Sequence, residues 1–151
     1  MNQRNALDVA TPVVQEFFEQ YTRSRSAMDS DRIVSQYADS CMFAGPDGVR
    51  VPERQAILEG FPKALELLKT VGHTSTSLAS LNETRVDTHY TMVRAQFVWR
   101  FEKAAAPPID VEVDSTFILY LQDGVPKIVF HHEREDLWQV LRTRGVLPTQ
   151  G

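Results

Sequence analysis

The chain is poor in several things, and each shortage removes a class of protein. It has one cysteine in 151 residues, Cys41, so no internal disulfide can form. A lone thiol reads as a small apolar group in a reduced protein, and the expected setting is cytoplasmic. Lys and Arg nowhere cluster into a run, and the formal net charge is −4. A basic nucleic-acid-binding face is therefore not expected. No apolar stretch approaches the ~20 residues that a membrane-spanning helix needs. Residues 1–10 lack the apolar core of a signal peptide. Internal repeats and low-complexity tracts are absent as well.

What remains is ordinary globular usage, 42% apolar and 24% charged, in a length that suits one domain. The periodicity predicts a disordered segment over 1–10, a single domain over 11–147 and a tail over 148–151.

Thr11-Pro12 reads as a helix start, with a side-chain oxygen for free amides followed by a ring that pre-sets φ. Val13, Val14, Phe17, Phe18 and Tyr21 follow at helical spacing, to about Met28. Asp29, Ser30 and Asp31 can cap a second helix with Ile33, Val34 and Tyr37 on one face. Cys41–Ala44 is a short apolar run, Gly45–Gly48 a turn, and Val49–Val51 a small returning strand. Pro52 and Glu53 open a third helix with Ile57, Leu58, Phe61, Leu65 and Leu68 inward; Pro62 should kink it and Gly72 should end it.

After Gly72 the period changes from helical to alternating. Residues 73–86 form one strand pattern. In residues 91–103, Val93, Ala95, Phe97, Trp99 and Phe101 share a face, and Arg94, Gln96, Arg100 and Glu102 share the other. Val111, Val113, Ser115, Phe117, Leu119 and Leu121 alternate with Asp110, Glu112, Asp114 and Thr116. Asp123-Gly124 is a turn, residues 127–133 a last strand, and Asp136 can cap a closing turn through Leu141. The Ala104–Pro108 stretch reads as a hairpin loop. Opposing Arg94 and Arg100 to Asp110, Glu112 and Asp114 adds ~0.2–1 kcal/mol per pair and fixes the outward face. Helices first and a meandering sheet afterwards give an α+β fold: three N-terminal helices on a strongly curved antiparallel or mixed sheet.

Val13-Val14-Gln15, Tyr37-Ala38-Asp39, Phe43–Gly48, Lys127-Ile128-Val129 and His132–Asp136, in this order and spacing, resemble the SnoaL-like branch of the nuclear-transport-factor-2-like superfamily over residues 11–141. The resemblance implies a cone-like α+β barrel, an apolar pocket for a small hydrophobic molecule, and a homodimer formed through the outer sheet surface. It does not carry over the superfamily's isomerase chemistry. The general base of the ketosteroid isomerase branch falls at Gly45, its phenol donor at Phe17 and its acid donor at Phe117. A dehydratase branch has a histidine where His73 opens its strand, but its partner carboxylate falls at Ser26.

Four histidines remain as candidates. His73 starts a strand on the side of the expected cavity. His131 and His132 are neighbours and so face opposite ways. Alignment with the isomerase branch turns His131 inward; the alternation of Ile128 and Phe130 turns His132 inward. His89 is expected on the surface. His73 and His131 are therefore the candidate acid/base residues of an isomerase, cyclase or dehydratase step without cofactor. Phe18, Tyr37, Phe43, Phe97, Trp99, Ser115 and Phe117 are the expected ligand contacts. A metal would need three inward His or carboxylates, and the inward positions are nearly all apolar, so no metal is expected. The alternative reading is a non-catalytic dimerisation module.

Overall fold

The computed structural model describes residues 10–148. The expected disorder of 1–10 and the tail of 148–151 fall mainly outside these residues; Ala10, at the boundary, is buried.

Helix α1 spans Pro12–Ser26, with proline in its first turn. Thr11 does not cap it by its side chain. Its hydroxyl and amide instead donate to Glu83 Oε1, at 2.8 and 2.9 Å. The carboxylate of a neighbouring strand thus ties the helix start to the sheet. Val14, Phe17, Phe18, Tyr21 and Arg25 form the buried stripe, at the i, i+3, i+4 spacing of one helical face. Val13 lies outside that stripe and is exposed.

Helix α2 covers Ser30–Ser35, and Asp29 accepts the Arg32 amide as a cap. It ends before Tyr37, which the spacing assigned to it. Tyr37 instead opens strand β1, Tyr37–Gly45. Arg54 accounts for the early stop: its guanidinium donates to the carbonyls of Val34, Tyr37 and Ala38. Strand β2, Gly48–Arg50, hairpins back on β1. Helix α3, Arg54–Thr70, runs continuously through Pro62 with Ile57, Leu65 and Leu68 buried; Leu58, expected inward, is exposed.

Strands β3 (His73–Arg85), β4 (Tyr90–Phe101), β5 (Ile109–Gln122) and β6 (Val125–Glu133) form an antiparallel meander, and helix α4, Leu137–Thr143, closes the chain. β1 pairs with β6 in parallel, so the six-stranded sheet is mixed, in the order β2-β1-β6-β5-β4-β3, and it is not closed. Asp123 and Gly124 take φ of +52° and +77° in a two-residue loop between paired Gln122 and Val125, the geometry that joins twisted strands.

The inward face is the one the alternation predicts: Val93, Ala95, Phe97 and Phe101 on β4 and Val111, Val113, Ser115, Phe117 and Leu119 on β5 are buried, with Trp99 packed beside them. Outside, Arg100 stands opposite Asp110 and pairs with it at 3.6 Å. Arg94 faces Thr116 instead, and Asp114 pairs with Arg134.

Candidate functional site

Strand β6 contains the irregularity that builds the site. Ile118 pairs with Phe130 and Leu119 with Ile128, so Val129 is an extra residue without a partner. A bulge of this kind reverses the side-chain parity beyond it. Ile128 and His131, three apart, therefore both point inward, while His132 lies opposite Thr116 on the outer face. The alternation that favoured His132 fails at this bulge.

Once inward, His131 is 6% exposed and packs against the Phe117 ring at 4.4 Å and near Phe43 at 5.9 Å. Both of its nitrogens are engaged. Nε2 lies 2.5 Å from Glu133 Oε1, and Nδ1 lies 2.8 Å from the Tyr37 hydroxyl. In the neutral ring the proton belongs on Nε2, facing the carboxylate, and Nδ1 accepts from Tyr37. The Tyr37 oxygen in turn accepts from Arg25 Nη2 at 3.0 Å, and Ser115 donates to Glu133 Oε2 at 2.8 Å. Arg25, Tyr37, His131, Glu133 and Ser115 thus form one continuous chain of hydrogen bonds drawn from α1, β1, β6 and β5.

Burial pushes the Tyr37 phenol up to about 12, and Arg25 lowers it only in part. Burial opposes the Arg25 charge, but the oxygens of Tyr21, Tyr37 and Glu133 outweigh this and hold its pKa above the usual value. The guanidinium lies over Tyr21, 4.2 Å from the ring centroid. Tyr37 is therefore a neutral phenol and Arg25 a fixed cation.

This chain meets solvent at one end. A cleft of about 430 Å³ is bounded by Phe43–Arg50 of the β1–β2 hairpin and by Glu135–Trp138, and His131 and Glu133 lie in its wall. Asp47, Glu135 and Asp136 share the cleft wall with Glu133. Glu133, with its side chain 25% exposed, is the carboxylate among them that is tied to the buried chain, through His131 and Ser115.

The remaining candidates lie elsewhere. Phe18, Phe97 and Phe117 are almost fully buried and pack on one another with ring centroids 5.0 to 6.4 Å apart. They do not line this cleft. Trp99 meets His73 edge-on at 6.3 Å. His73 bonds Thr76 through Nε2 at 2.9 Å and leaves Nδ1 buried without a partner. Burial, aided by Arg25, pulls its pKa down to about 4. Ser26, at the position where the dehydratase branch has its carboxylate, both donates to and accepts from the Thr76 backbone. His73 has no carboxylate partner there. Burial lifts the Cys41 thiol to about 12, which removes it as a nucleophile at neutral pH. Among the described residues no three His, Cys, Asp or Glu gather as a metal would require.

Sequence reasoning passed over Arg25 and Glu133. Arg25 continues the Val14, Phe18, Tyr21 stripe, and a charge on a core stripe is a signal. Glu133 follows His131 by two residues and shares its face, so placing His131 inward was itself the signal for Glu133.

No family model matches the sequence, and no curated protein matches it. Solved structures do. Aln2 from a Streptomyces species superposes with TM-score 0.70 at 14% identity, covering 87% of this chain and 97% of that one. An NTF2-like protein with a cystatin-like fold from Novosphingobium aromaticivorans gives TM-score 0.67 at 13% identity, covering 90% and 87%. An NTF2-like protein of unknown function from Shewanella oneidensis gives 0.64 at 12%, covering 82% and 97%. At such identities the likeness is one of fold, and the fold of this chain is the nuclear-transport-factor-2-like α+β fold.

Proposed function

We propose that the chain is a small-molecule-binding domain whose ligand sits in the cleft between the β1–β2 hairpin and the segment leading into α4. The supporting observation is the hydrogen-bonded pair Glu133–His131 in the wall of that cleft, held from behind by Tyr37, Arg25 and Ser115. Such a pair suits cofactor-independent acid/base chemistry: Glu133 takes a proton from an acidic C–H or O–H of the ligand and returns it at a neighbouring position. His131 stabilises the carboxylate through its Nε2–H and is the sequence candidate that belongs to this site. Phe43 provides an apolar wall. Phe117 packs behind His131, and Phe97 and Phe18 pack on Phe117, while Trp99 lies beside His73. His73 stays outside it.

The test is a fragment-library thermal-shift screen of the wild type, repeated on Glu133→Gln and His131→Asn. Fragments that raise Tm of the wild type should lose most of that shift in Glu133→Gln. Proton–deuterium exchange at the acidic position of each hit, followed by NMR, then reports turnover. Absence of any hit, or hits indifferent to both substitutions, would overturn the reading.

Two broader expectations belong to the same proposal. Two copies pair through the outer sheet face around Ile118 and Tyr120, which sedimentation would test, and the protein works in the cytoplasm, which cell fractionation would test. Among the described residues no helix is long and apolar enough to cross a membrane.

A further inference from the structure

The Glu133 cleft has a neighbour. A second groove of about 250 Å³ lies between the β1–β2 hairpin and α3, lined by Phe43, Arg50, Pro52, Ala56, Ile57, Gly60, Phe61 and Ala64. Apart from Arg50, none of those side chains is polar. Phe43 and Arg50 line both spaces. Two ring-to-ring steps join the acid/base pair to the groove, His131 to Phe43 at 5.9 Å and Phe43 to Phe61 at 6.5 Å. The Arg50 guanidinium lies 5.6 Å from the Phe43 centroid and makes no hydrogen bond or ion pair with any described residue. The groove is open above Gly60, where an added Cβ would meet nothing within 4 Å. The first cleft carries Asp47, Glu133, Glu135 and Asp136 against one Arg50, so it repels an anion.

We infer that the two spaces are one bipartite site for a neutral amphipathic molecule. Its proton-bearing head, a hydroxyl or enolisable carbonyl, sits over Glu133; its apolar tail passes Phe43 and lies along α3 at Gly60, with Arg50 strapped across the join. The inference rests on the reading of Glu133 as the head-binding carboxylate and adds the tail, the neutrality and the route. It moves the ligand outward from the interior of the cone, which α1 and its aromatic residues fill.

A series of fixed head and growing tail tests it. NMR titration would give affinities of phenol, 4-butylphenol and 4-hexylphenol for the wild type, Glu133→Gln and Gly60→Leu. Burying even part of each added chain should tighten binding by roughly tenfold from phenol to 4-hexylphenol. In Gly60→Leu, phenol should bind as before while the tail's gain disappears. That variant replaces a glycine in a helix interior by a good helix former, so loss of fold is not expected. The anionic 4-hexylbenzoate should bind worse than 4-hexylphenol. If phenol binds and depends on Glu133, but the tail adds nothing or its gain survives in Gly60→Leu, the bipartite site is wrong and the cleft reading stands. If phenol binding is absent, or indifferent to Glu133→Gln, both fall.

Discussion

Tyr37 is the residue on which the buried chain turns. Its hydroxyl gives its proton to His131 Nδ1 and its lone pair to Arg25, and it is 2% exposed, so water cannot replace it cheaply. Tyr37→Phe keeps the ring, which stacks on Phe43 at 5.6 Å, and removes only the oxygen. Two buried partners are then left unsatisfied, at a cost of about 1–3 kcal/mol in urea unfolding. His131 also loses the donor that fixes its tautomer, which nitrogen chemical shifts of the imidazole would register. His73 makes a separate prediction about pH. Its folded pKa is about 4 against an ordinary 6.5, so the unfolded chain binds the proton more readily. The penalty is absent above the unfolded value, grows as pH falls from about 6.5 to about 4, and is constant below. Stability should therefore decline by about 2 kcal/mol across that window, the full shift being reduced by solvent screening, and His73→Gln should flatten this part of the curve. A His73→Gln profile as steep as the wild type's would count against a neutral, buried His73.

At the scale of elements, regular stretches could be read from the chain, and departures from regularity could not. β4 and β5 were legible because their alternation is uninterrupted from Val93 to Phe101 and from Val111 to Leu119, and the Arg100–Asp110 pair fell where the pattern put it. The bulge at Val129 was not legible, since it is a shift of register against β5 and nothing in the local alternation marks it. Nor was the early end of α2, which depends on Arg54 reaching back from α3. Gly72 was legible as a stop, and the structure adds the reason. Its φ is +103°, and a Cβ there would stand 2.6 Å from the Glu102 carbonyl oxygen, while its own carbonyl accepts the Glu102 amide at 2.8 Å. Gly72→Ala combines an unfavourable φ with a backbone clash, so it should cost about 2–4 kcal/mol. Thermal unfolding would show this as a clear fall in Tm. An unchanged Tm would mean that the α3–β3 junction tolerates a different path.

At the scale of the whole molecule, the order of helices and meander was enough to place the fold, yet it could not say where the ligand space lies. Alternation tells which side chains point inward and not whether the inside is filled. Phe18 settles that, because it descends from α1 onto Phe97 and Phe117 and is itself 0% exposed. Tyr21 stacks beside it on Phe97 at 5.1 Å, and Arg25 completes the plug. With the interior filled, the proposed site for a ligand lies at the rim, where Glu133 and His131 line the cleft beside the hairpin. A filled interior makes a quantitative claim. Phe18→Ala in a packed core removes a large side chain and leaves a cavity, a loss of about 3–5 kcal/mol. In a cone already hollow at that point the neighbours would lose few contacts, and the change would cost about 1 kcal/mol or less. Chemical denaturation of the two proteins distinguishes these values. A small loss would return the ligand to the interior, beside Phe97, Trp99 and Phe117, and a large one leaves Glu133 and the hairpin cleft as the place where a ligand can enter.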